Sequence, residues 1–141
     1  MKRFKFLRVL CAFALLSAFA IGGEKECHGL DFGEDVFMQG YSCFYPAQTI
    51  LEAYADFRTG YIKERVEGRD SKKLRAKLEI GKNYEDNYKE LKENEYIYGI
   101  VYKWDGDKKL NIEILAEAGE GEIKFTQENN GTTMTDMFYS Q

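Results

Sequence analysis

The sequence predicts an α+β fold of two layers, with one long helix packed on a curved antiparallel sheet of four or five strands. Two patterns carry that expectation. Apolar residues recur at helical spacing from Ala47 to Val66. The last 46 residues alternate in short runs punctuated by Gly and Asx-Gly turns. With 44% hydrophobic and 31% charged residues in a chain of 141, a collagen-like, disordered or many-spanning membrane protein is excluded.

The first element is a targeting segment. Met1 to Gly23 carries Lys2, Arg3, Lys5 and Arg8, then an uncharged apolar run from Val9 to about Ala20 that closes on Ala18-Phe19-Ala20. These are the three parts of a secretory signal peptide, residues 1–20, with residues 21–141 as a single mature domain. The uncharged stretch is shorter than the roughly 20 residues of a spanning helix, so no integral membrane span is expected. Cys27 follows Glu24-Lys25-Glu26 and Cys11 lies early in the apolar run, which argues against a lipoprotein. The expected address is secreted or periplasmic. The four basic residues leave with the signal, so the mature chain holds 16 basic and 24 acidic residues, a net charge of −8.

Cys11 leaves too, and Cys27 and Cys43 remain as the pair in an oxidising compartment. A disulfide closing about 16 residues stabilises by roughly 3 kcal/mol in the chain-entropy account. It would staple an N-terminal segment (Gly29, Gly33, Gly40) with little regular pattern. A redox pair or a metal site fits poorly, because the spacing is not Cys-x-x-Cys and only His28 could add a nitrogen ligand. No metal and no cofactor is expected.

The helix follows, with Ala47, Ile50, Leu51, Tyr54, Phe57, Tyr61, Ile62 and Val66 on one face. Pro46 suits its first turn and Gly68 the position past its end, while Thr59-Gly60 is the weak point. Leu74 to Ile80 alternates apolar and charged residues, which predicts a strand despite helix-favouring composition. Asn83 offers an N-cap; Tyr84, Tyr88 and Leu91 then sit at i, i+4 and i+7, with Glu85 set to pair with Lys89. A second helix over about 84–93 is expected.

Four strands close the chain. Tyr96 to Trp104 leads into Asp105-Gly106, and Leu110 to Leu115 into Glu117-Ala118-Gly119-Glu120-Gly121. Glu122 to Thr126 leads into Asn129-Asn130-Gly131, and Thr132 to Tyr139 is last. This element order is similar to that of cystatin-like and nuclear-transport-factor-like folds; it is an analogy of order alone and implies no function.

On the first of these strands Tyr96, Tyr98, Ile100, Tyr102 and Trp104 share one face, with Gly99 opposite permitting a bend. If the helix covers that row it is core; if the row lines the open end of the sheet it is a platform for a protein partner or a small apolar or sugar ligand. Tyr96, Tyr98, Tyr102 and Trp104 are therefore the candidate binding residues.

Charge is uneven: residues 63–82 carry 8 basic and 4 acidic groups, including Lys63, Arg65, Arg69, Lys73 and Arg75. That block reads more readily as a solvated surface than as an anion-binding one. The acidic total and the exported address argue against nucleic acid and suit a cationic partner.

Other motifs have plainer explanations. Asp105-Gly106-Asp107 lacks a calcium loop's later ligands, since Lys108 and Lys109 follow. Gly119-Glu120-Gly121 does not join a strand to a helix. Asn130-Gly131-Thr132 is formally a glycosylation sequon but also a turn. His28, the one histidine, offers a poor base for a triad. Asp56, Asp136 or Glu113 could project inward beside a tyrosine, the arrangement a pocket enzyme of the isomerase or dehydratase type needs.

The leading expectation is an exported, non-enzymatic binding protein, with an inhibitor or immunity role against a protein partner as its sharpest form. A pocket enzyme or small-ligand carrier is the alternative, and a self-associating surface component is a third class.

Overall fold

The computed structural model describes residues 24–35, 37–64 and 69–141, except the side chains at positions 63, 64, 69 and 71. The expected signal peptide lies outside the described residues. Among the described residues seven strands, rather than four or five, form one antiparallel sheet in the order β1-β2-β7-β6-β5-β4-β3. They are β1 (Glu26–Gly29), β2 (Met38–Pro46), β3 (Tyr84–Asn87), β4 (Ile97–Asp105), β5 (Lys109–Ala116), β6 (Gly119–Glu128) and β7 (Gly131–Ser140). Among the described residues one helix, α1 (Ile50–Glu64), lies on one face of the sheet, followed by a 3-10 turn at Arg69–Lys72.

The expected meander is present as β4 to β7, with in-register hairpin pairing from β5 through β7. Gly106 takes the positive φ of 66° that its Asp-Gly turn demands.

The helix starts later than Pro46, which instead ends β2 opposite Gly131. Thr49 is the N-cap. Its hydroxyl accepts from the Glu52 amide (3.3 Å) while the Glu52 carboxylate accepts from the Thr49 amide (3.2 Å), a reciprocal capping box. Gln127 of β6 accepts from the Ile50 amide (3.0 Å) and pins the helix start to the sheet. The helix runs unbroken through Gly60 to Glu64. Ile50, Ala53, Tyr54, Phe57 and Tyr61 are its buried stripe, and Tyr54 and Phe57 meet Phe125 edge-on at 6.0 and 5.9 Å between ring centres.

Three further expectations are corrected. The N-terminal segment is regular, because β1 and β2 form a hairpin in which Cys27 sits directly opposite Cys43. The two cysteines are disulfide-bonded, with Cα atoms 4.0 Å apart.

Residues 74–80 form no strand. Only Leu74 and Leu78 are buried, and Ile80 is exposed. Side chains satisfy the backbone here in place of a ladder: the Leu74 carbonyl accepts from Arg58, the Arg75 carbonyl from the Tyr54 hydroxyl, and the Arg75 amide donates to the Tyr102 oxygen.

Residues 84–93 form no helix. Tyr84 to Asn87 pairs with Tyr102 to Gly99 as the edge strand β3. Tyr84, Asp86 and Tyr88 are half-buried, whereas Glu85 and Asn87 are exposed, so a period of two prevails over the i, i+4 pattern. Arg75 decides it: its guanidinium forms a two-pronged pair with Asp86 (2.8 and 2.7 Å) and stacks 3.9 Å from the centre of the Tyr84 ring.

Candidate functional site

The helix starts against the β6–β7 hairpin end of its sheet face, and at the opposite end of that face a cleft of about 360 Å³ stays open. Sequence explains the space. Ala116 of β5, Ala118 of the following turn and Gly121 of β6 line the cleft with almost no side-chain volume. Gly121 pairs with Ile114 on one side and Phe138 on the other, and a methyl group there would come within 3.3 Å of the Ile114 Cβ. The remaining lining is mixed. Ile97, Ile114, Phe138, Tyr61 and Tyr96 supply apolar and aromatic surface, while Gln39, Asp70 and Asp136 supply polar groups.

The polar side is fixed by a buried charge cluster. Asp70, from the 3-10 turn, accepts from the amides of Tyr96 (2.7 Å) and Ile97 (3.4 Å) and pairs with Lys73 at 2.8 Å. The Lys73 ammonium also donates to the Ile97 carbonyl (2.7 Å), lies 3.5 Å from Glu95 and sits 4.5 Å from the centre of the Tyr88 ring. Glu95 has its carboxyl held below the usual range, mainly by the Lys92 backbone amide and further by Lys73. Asp70, Lys73 and Glu95 together form a cluster of one cation between two carboxylates.

The four candidate aromatic residues are not brought together. A bulge between Ile97 and Gly99 shifts the register of β4, so that Tyr98 is displaced from the row and stands exposed while Ile97 turns inward. Tyr96 stands exposed at the rim of the cleft. Tyr102 is fully buried, in edge contact with Tyr84, and its hydroxyl accepts from the Arg75 amide. Burial pushes the Tyr54 hydroxyl well above the usual tyrosine range and raises that of Tyr102. Trp104 packs on the core and lines a second hollow with Lys103, Asn111 and Lys124. Tyr102 thus belongs to the packed interior, Trp104 is half-buried at its edge, and of the four only Tyr96 reaches the cleft.

Of the three inward carboxylates considered, Asp136 lines the cleft, with Tyr61 in the same lining. Asp56 is exposed, and Glu113 lies on the other sheet face, 3.7 Å from Lys103. Tyr61, Phe138 and Gln39 were not legible as site residues. The alternation of Thr132, Met134, Asp136 and Phe138 along β7 was the available signal, since it places all four on the helix side. In the basic block, Lys73 and Arg75 turn inward to acids, whereas Lys72, Lys77 and Lys82 are exposed. His28 is exposed on β1, and no group of three or more metal-ligating side chains occurs among the described residues. No described helix is long and apolar enough to cross a membrane.

The fold and site define a class: a disulfide-stapled α+β protein whose half-covered antiparallel sheet leaves a small cleft with aromatic and acidic groups in its lining. No protein-family model, curated protein or solved structure matches the chain.

Proposed function

We propose that the protein is an exported, non-enzymatic binding protein that takes a small ligand, or a side chain presented by a protein partner, into the cleft beside Tyr96, Tyr61 and Asp136. The observation that supports this reading is the cleft itself, set between small residues and rings on a sheet held by a disulfide. Its volume lies at the low end of ordinary ligand sites, which suits a small molecule or one inserted side chain. An inhibitor or immunity role is the form of this reading in which the acidic mature chain steers a basic partner. Export rests on the N-terminal segment and agrees with a Cys27–Cys43 bond.

Native mass spectrometry of the protein recovered from its own host tests the reading. A bound mass or partner that is retained by the unaltered chain and lost from Ala118→Trp, which fills the rim of the cleft, supports it. A bare chain, or a bound species indifferent to both Ala118→Trp and Ala116→Leu, places binding elsewhere.

A second reading has one observation in its favour: Asp136 and Tyr61 line the same cleft, as a small acid–base enzyme requires. In that case a compound that occupies the cleft is converted, and Asp136→Asn abolishes turnover while leaving the compound bound.

A further inference from the structure

We infer that the occupant of this cleft is an uncharged sugar ring, which lays its C–H face on the aromatic lining and turns its hydroxyls to the polar groups; this rests on the cleft being the binding site. Both carboxylates of the lining are already engaged. Asp70 holds Lys73 and the amides of Tyr96 and Ile97, and Asp136 has an interaction of its own. The cleft therefore offers polar surface without demanding a counter-charge from its occupant.

What it demands is hydrogen bonding. Gln39, Asp70 and Asp136 all belong to the lining. A hydrocarbon occupant would take these groups out of water and return nothing, which is costly. A hydroxyl both donates and accepts, so it serves either end of the Gln39 amide and a carboxyl oxygen in either protonation state. Recognition of this kind needs neither a bare charge nor a fixed titration state at Asp136. Polar groups on three lining residues suit several hydroxyls on one ring better than the single polar head of an inserted side chain.

The apolar half of the lining fits the other half of a sugar. Tyr96 is 53% exposed at the rim, and the bond from its own amide to Asp70 holds its backbone in place. Tyr61 and Phe138 add rings to the same lining. An aromatic face is electron-rich, and the C–H bonds of a sugar's apolar face carry the slight positive charge that stacks on it. Ala116, Ala118 and Gly121 contribute so little volume that a cleft of about 360 Å³ remains, room for one ring rather than a chain of them.

Isothermal titration of the oxidised protein tests this with the methyl glycosides of glucose, galactose, mannose and N-acetylglucosamine. Cyclohexylmethanol serves as a ring of similar size with one hydroxyl, and the methyl glycoside of glucuronic acid as the anionic match. The expected result is that a neutral glycoside binds at least about tenfold more tightly than cyclohexylmethanol, as two or more additional hydrogen bonds provide. Tyr96→Ala should weaken it by about fivefold while Tyr96→Phe, which keeps the ring, does not. Gln39→Leu should weaken it to a similar degree, and Asp136→Asn should bind as the unaltered chain does, because an amide still donates and accepts. Thermal unfolding confirms that each variant is folded. Each sugar is also offered free: binding of the free form alone assigns a monosaccharide, and binding of both forms assigns the end unit of a glycan, since the methyl group stands where the next unit is joined. Equal affinity for cyclohexylmethanol and the best glycoside, with both lost in Ala118→Trp, overturns the sugar while leaving the cleft as the binding site. Tighter binding of the glucuronic acid glycoside, or loss of binding in folded Asp136→Asn, overturns the uncharged ligand. No binding by any probe also overturns the inference; the bound species seen by native mass spectrometry then decides separately whether the cleft is used at all.

Discussion

Lys73 shows how much of this architecture hangs on single side chains. Its ammonium is almost fully buried and meets Asp70, Glu95, the Ile97 carbonyl and the Tyr88 ring. Replacing it with methionine keeps the apolar stem but strands the Asp70 carboxylate without its counter-charge, a loss of about 3 kcal/mol in urea unfolding. Asp70→Asn should cost less, because Lys73 keeps Glu95 and the Ile97 carbonyl. Tyr45 supplies a pH test. Its hydroxyl is pushed up to about 12, first by burial and then by the charge of Asp56. A pKa raised in the folded state favours the protonated form there, so its contribution is complete below pH 10 and is lost as pH rises through about 12. Urea unfolding followed from pH 8 to 12 should show stability falling above pH 10. Tyr45→Phe should flatten that fall by up to about 1.4 kcal/mol per pH unit.

At the scale of elements, local chemistry was decisive wherever it agreed with the pattern. Thr49 and Glu52 form a capping box that was readable as Thr-x-x-Glu before an apolar run, a better start signal than Pro46. Thr49→Ala should lower stability by about 1 kcal/mol, measured by the midpoint of thermal or urea unfolding. The β4–β7 meander was legible because its turns carry Gly and Asx residues and its strands alternate. The stretch from Leu74 to Leu91 was not, because its alternation and its helical spacing competed. Contacts distant in sequence settled it: Tyr54 and Tyr102 hold the backbone of Arg75, and Arg75 holds Asp86. The cleft was half legible. Asp136 was on the page as an inward carboxylate, but the bulge at Tyr98 that breaks up the aromatic row depends on how β4 pairs with β5.

At the scale of the whole molecule, the sheet face divides into a sealed end and an open one. Aromatic contacts between α1 and Phe125 close the first, and small residues leave the second accessible. The two lateral borders of the sheet are guarded differently. β3 is four residues long and is tied inward through Arg75 and Asp86. β1 is also four residues long, exposed throughout, and bonded through Cys27 to Cys43 of β2. That bond therefore controls how much unpaired strand the molecule offers to its neighbours. With the bond cut, β1 retains only a short ladder. If it peels away, the nine-residue β2 becomes the border, a far longer template for another chain to pair with. Reduction should first speed amide exchange at residues 26–29 while β5 to β7 stay protected. Light scattering should then report self-association that grows with protein concentration, whereas the oxidised protein stays unchanged. The disulfide is thus expected to guard against polymerisation as well as to staple the fold.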